Sequence, residues 1–111
     1  MRRPDRGERA QGMKLVFSQG GERDLEQIVD HIARDNPRRA LSFVRELRAA
    51  ARALVRNPEG RPRANFDSRI RRSVHRGYNL YSAILPGEIR ILAVIHGSRA
   101  DDAVLFDLVK R

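Results

Sequence analysis

The stretch "EIRILAVIHGSR", residues 88–99, ends an apolar run on a histidine and sets Arg90 before it and Arg99 after it. An imidazole titrates near neutral pH and can move a proton, while a guanidinium can hold a phosphate through two parallel hydrogen bonds. His96 can therefore be read as the acid or base of an RNA-cleaving site, with Arg72, Arg90 and Arg99 facing a phosphate. A plainer reading stands beside it and is preferred: His96 ends its strand by bonding a backbone carbonyl. Arg90, set among apolar neighbours, either pairs with an acid from another strand or presents its charge to an anion. Arg71 and Arg72 are adjacent on a strand and point to opposite faces, so one of them lies on the partner-binding side. His31 and His75 read as ordinary surface residues, and of Tyr78 and Tyr81 at least one reads as a core ring. Three scattered histidines and no cysteine give no metal-ligand spacing. A phosphate-binding glycine loop and a nucleophile elbow are both absent, so neither metal nor cofactor is expected.

These residues need elements to hold them. "MKLVF" (13–17) reads as a short strand, and Ser18 with two glycines turns the chain into a helix. Leu25, Ile28, Val29, Ile32 and Ala33 then recur at the spacing of one helical face, and the helix should stop near Asp35. Asn36 can cap a second helix through its side-chain oxygen, with Pro37 at the first helical position, where a missing N–H costs nothing. The apolar face of that helix is Ala40, Phe43, Val44, Leu47, Ala51, Leu54 and Val55, and Asn57-Pro58 ends it. The short link makes the two helices an antiparallel hairpin. Three alternating segments follow, "IRRSVHR" (70–76), "YNLYSAIL" (78–85) and "EIRILAVIH" (88–96), the last two joined at Pro86-Gly87. In the last, simple alternation places Ile89, Ile91, Ala93 and Ile95 on one face and Arg90, Leu92, Val94 and His96 on the other. The tail "DDAVLFDLVKR" fits a capped helical turn or an edge strand. The expected fold is α+β: an N-terminal strand, a helical hairpin and a three-stranded antiparallel sheet, with the hairpin on one face and arginines on the other face or rim.

The chain has 111 residues, room for one domain over 13–111 behind a polar arm, 1–12, that is expected to be disordered. The absence of cysteine removes disulfides and suits a cytoplasmic protein. No apolar run is long enough to span a membrane. The formal net charge of +9 points to an anionic partner, either nucleic acid, ribosome or an acidic protein segment. Of the 23 basic residues only Lys14 and Lys110 are lysines, and arginine clamps anions well but gives up its proton poorly. A plain nucleic-acid-binding module would want exposed aromatics for stacking, and four phenylalanines and two tyrosines at largely core-like positions offer few.

In this order the pieces resemble the RelE/ParE superfamily, the toxins of type II toxin–antitoxin systems, over residues 13–99. "MKLVFSQGGERDLEQIVDHIARDNPRRALSFVREL" is similar to the opening strand and helical hairpin of that family, including Asp24-Leu25 and the asparagine-proline link. "IRRSVHRGYNLYSAI" resembles its arginine-bearing strand and tyrosine-containing successor, and "EIRILAVIHGSR" its final strand. The resemblance implies one of two activities. RelE-like members cut messenger RNA on the ribosome, where a 2′-hydroxyl attacks the neighbouring phosphate, which calls for a base, a proton donor and facing cations. ParE-like members bind DNA gyrase and trap its cleaved-DNA state, which asks for a binding surface and no chemistry by the toxin. Here the middle of the chain lacks lysine, and neither tyrosine nor histidine follows His96, which favours the ParE-like reading. The implied partners are a cognate ParD-like antitoxin, with which the toxin forms a hetero-oligomer, and gyrase or, in the alternative, the ribosome. Arg72, Arg90, His96 and Arg99 are the expected functional cluster. Arg38, Arg45, Arg48 and Arg52, on the outer side of 38–56, are the expected antitoxin contacts.

Overall fold

A computed structural model describes residues 13–110; the arm assigned to 1–12 lies outside them. The chain runs β1 (Lys14–Phe17), α1 (Gln19–Ala33), α2 (Pro37–Ala53), β2 (Arg63–Ala64), β3 (Asp67–His75), β4 (Tyr78–Leu85), β5 (Glu88–His96) and α3 (Asp102–Val109). One sheet holds all five strands in the order β1-β5-β4-β3-β2. The expected class is therefore present with two more strands: β1 joins β5 in parallel, and β2 extends the far edge.

Local chemistry sets the helix ends. Ser18 caps α1 by accepting the Gly21 N–H at 3.0 Å, and the glycines expected to form a turn lie within the first helical turn. Gly21 is buried against β5, where a Cβ would stand 2.6 Å from the Ile91 carbonyl oxygen, so only glycine lets the helix approach this closely. Asn36 accepts the Arg39 N–H at 3.0 Å, with Pro37 opening α2 as expected. The tail forms a helix: Asp101 accepts the Val104 N–H at 3.0 Å and Leu108 is buried.

Two cores face opposite sides of the sheet. Leu25, Ile28, Phe43 and Leu47 of the helical hairpin, with Leu54 just beyond α2, meet Leu80, Ile89, Ile91 and Val94. On the other face Ile70, Tyr81, Ala93 and Ile95 are covered by Leu108 of α3. The simple alternation read along β5 fails at Leu92. Tyr81 pairs with Ala93 while Ser82 pairs with Ile91, so β5 carries one extra residue there. This bulge exchanges the faces. Ile89 and Ile91 look toward the hairpin and Ala93 and Ile95 toward α3, while Val94 joins the hairpin side. The face expected to carry arginines is thus partly a second core. Two tight turns require left-handed backbone: Arg76 (φ 48°) and Gly77 (φ 85°) join β3 to β4, and Gly87 (φ 74°) follows Pro86 between β4 and β5.

Candidate functional site

Because β1 ends at Phe17 opposite Ile91, the second half of β5 has no neighbouring strand on that side. The start of α1 substitutes for it. The Ser18 N–H donates to the Ile91 carbonyl at 2.9 Å and its hydroxyl to the Leu92 carbonyl at 3.2 Å. Nearly two helical turns on, a carboxylate oxygen of Asp24 accepts the Val94 N–H at 2.9 Å. A groove of about 670 Å³ opens beside this edge, lined by Asp24 and His31 of α1, by Tyr78, His96 and Arg99, and by Asp107 of α3.

His96 faces this groove with its Nδ1 committed. Its Nδ1 accepts the Ser98 N–H at 3.1 Å and lies 2.8 Å from the Ser98 hydroxyl. The expected bond to a backbone carbonyl is replaced by acceptance from a backbone N–H, which caps the turn Gly97–Arg99. The ring meets Tyr78, its cross-strand partner, edge to face at a centroid distance of 5.0 Å. Gly77 leaves it room, since a Cβ there would stand 3.3 Å from Nε2.

The sheet divides the four residues expected to work together. His96 and Arg99 share the groove. Arg90 lies between Ile89 and Ile91, which look toward the hairpin, so its side chain leaves by the opposite face. There it binds Glu88 of its own strand at 2.8 Å rather than an acid from another strand. Arg72 pairs in register with Tyr81, a residue of the α3-side core, and is exposed on that face of β3. On α2, Arg38, Arg45 and Arg52 are exposed at seven-residue spacing along one side. Arg48 turns inward, bonded to Glu22 at 2.9 Å with its guanidinium 5.1 Å from the centre of the Phe17 ring.

Reading the sequence alone missed one assembly. Glu46 binds Arg39 at 2.6 Å, His75 at 3.0 Å and Arg76 at 3.0 Å, which places His75 in a network and not on an open surface. The hydrogen bond from Arg39, then that to His75, pulls the Glu46 carboxyl down to about 2. The Phe43 ring touches three members of the neighbourhood: Arg39 at 4.9 Å, Tyr78 at 5.4 Å and His75 at 5.9 Å between centres. The spacing of Arg39 and Glu46, seven residues apart on one helix, was the available signal. Asp24 was likewise visible only as half of the Asp24-Leu25 pair. Among the described residues no group of three or more His, Cys, Asp or Glu side chains could hold a metal ion, and no helix is long and apolar enough to cross a membrane.

Residues 15–101 match the family model described as the ParE toxin of the type II toxin–antitoxin system parDE. The chain belongs to the ParE toxin family. No curated protein matches it in sequence. Among solved structures it is similar to a chain of the chromosomal ParDE toxin–antitoxin system from P. aeruginosa, with a TM-score of 0.69 at 22% identity, covering 77% of this chain and 96% of the other. At that identity the likeness speaks for the ParE fold. The match runs from β1 past the Gly97–Arg99 turn to residue 101, so it takes in the walls of the His96 groove formed by α1, β4 and β5, while α3, which supplies Asp107, lies outside it.

Proposed function

We propose that this ParE-family chain inhibits DNA gyrase as a binding poison and is neutralised by a ParD-like antitoxin. The observation that carries the reading is the division of the four expected residues between two faces of the sheet. An RNA-cleaving site must bring a proton-transfer group and phosphate-holding cations to one point. Here Nδ1 of His96 is bonded to Ser98, and Arg90 is bonded to Glu88 on the other side of the sheet. The runner-up, ribosome-dependent cleavage of messenger RNA, draws on His96 and Arg99 sharing one groove. Pulse-labelling in the first minutes after induction without antitoxin separates the two. Early failure of DNA synthesis supports gyrase poisoning, and early failure of protein synthesis overturns it in favour of the nuclease.

The antitoxin reading rests on α2. Arg38, Arg45 and Arg52 form a line of exposed cations, and Leu41, 56% exposed, sits among them as an apolar anchor. An acidic, aliphatic segment that folds as it binds suits this surface. Arg48 lies on the same helix, and its bond to Glu22 is exposed enough to exchange for a partner's acid. Charge reversal by Arg45→Glu together with Arg48→Glu should weaken antitoxin binding in a titration by at least tenfold. Unchanged affinity would remove this face from the antitoxin interface.

A further inference from the structure

At the sheet edge farthest from β1, arginines meet without acids between them. Arg63 of β2 stands directly opposite Arg71 of β3, and like charges so placed destabilise a sheet. Arg71 is held in place by the loop before β2, its Nη1 donating to the carbonyls of Arg61 at 2.8 Å and Glu59 at 3.3 Å. Both acceptors are backbone carbonyls, and the Glu59 carboxylate forms no ion pair with Arg71. Arg72, the next residue, leaves by the opposite face, and its backbone N–H binds the Pro62 carbonyl at 3.0 Å, fixing the loop along the strand. Positive charge therefore wraps around the edge from one face to the other.

The local acids do not neutralise it. Asp67 is taken by Arg69, whose side-chain and backbone hydrogen bonds draw its carboxyl down to about 2. Among the described residues no carboxylate pairs with Arg61, Arg63, Arg71 or Arg72. Apolar surface is scarce at the edge: of the large exposed apolar side chains among the described residues, Val74, on β3 two residues past Arg72, lies beside it, and Leu41, Ile84, Phe106 and Val109 belong to other elements. Protein interfaces take most of their energy from apolar and aromatic anchors, whereas binding to a phosphate backbone is carried by charge alone. Arginine forks suit phosphate oxygens.

We propose that the β2–β3 edge, through Arg61, Arg63, Arg71 and Arg72, is a binding surface for the phosphodiester backbone of nucleic acid. This binding is independent of sequence and belongs to the toxin itself, without gyrase or antitoxin. It therefore stands or falls separately from the gyrase reading.

The test is a salt titration of binding to short duplex DNA of two unrelated sequences and to single-stranded RNA, using the full chain. Arg61→Gln, Arg63→Gln and Arg72→Gln are combined, and Arg71 is left in place because it holds the loop. On duplex DNA the slope of log affinity against log salt should shrink by roughly 0.9 for each phosphate that the variant no longer neutralises. A control combining Lys14→Gln, Arg23→Gln and Arg34→Gln, all exposed and away from this edge, removes the same charge and should keep the wild-type slope. Lysine at the three edge positions should restore most of it. DNA binding without RNA binding assigns the edge to DNA, the reverse assigns it to RNA, and binding of both assigns it to the shared backbone. The proposal is overturned if edge and control variants reduce the slope equally, if wild type binds neither nucleic acid at low salt, or if polyglutamate competes as well as DNA at equal charge. Unchanged melting temperatures show that the variants fold.

Discussion

The groove beside β5 and the edge formed by β2 and β3 are both polar and both carry arginine, yet their polar groups are used differently. At the groove they are consumed by the fold: Ser18 and Asp24 hold the backbone of β5 in place of a missing strand, and His96 caps a turn. At the edge, Arg63 and Arg71 face one another with no acid between them. The histidine, the residue most suggestive of chemistry, thus gives one ring nitrogen, Nδ1, to the architecture. The edge arginines, readily dismissed as solubilising charge, have no carboxylate paired with them among the described residues.

This contrast is most exposed to challenge at Asp24. If its carboxylate maintains β5, Asp24→Ala leaves the Val94 N–H without its acceptor and should cost about 1.5–3 kcal/mol in denaturant unfolding. Asp24→Asn, which retains an oxygen, should cost less. A smaller effect is expected at His96, where His96→Ala removes the edge-to-face packing on Tyr78 and should cost about 0.5–1.5 kcal/mol. Glu46 supplies a pH signature on the α2 side of the same ring cluster. Its carboxyl falls from an ordinary 4.5 to about 2 on folding, so the native state holds the charged form more firmly than the unfolded chain does. Its stabilisation is complete above the unfolded value and is lost as pH falls from 4.5 toward about 2. Acid titration of thermal stability should therefore be flatter in Glu46→Gln over that window. The smallest effect belongs to the edge: Arg63→Thr relieves a like-charge pair and should leave stability unchanged or raise it by less than about 0.5 kcal/mol. A large drop there would show that the edge arginines also serve the fold.

Much of the architecture was legible because it rests on local rules. The apolar spacing in α1 and α2, the Asn36-Pro37 cap and the Pro86-Gly87 turn each act over a few residues. What escaped depends on distant partners. The bulge at Leu92 is set by pairing with β4, and it reversed the faces assigned to the second half of β5. The parallel partnership of β1 with β5 joins segments far apart in the chain, which no local pattern reports. The same holds for the site. Alternation showed that Arg71 and Arg72 must diverge, but not that Arg90 and His96 would part across a bulge, nor that His75 would reach Glu46. The tail was ambiguous because its apolar residues fit a strand or a short helix, and the sheet face that receives Leu108 decides between them.

Whether His96 supports the fold without transferring a proton can be read from gyrase-mediated DNA cleavage in the presence of wild-type toxin and of His96→Gln, compared at temperatures where both are folded. On the gyrase-poison reading, the variant should trap cleaved DNA to an extent similar to that of the wild type. A folded variant without that activity would contradict the architectural role assigned to the histidine.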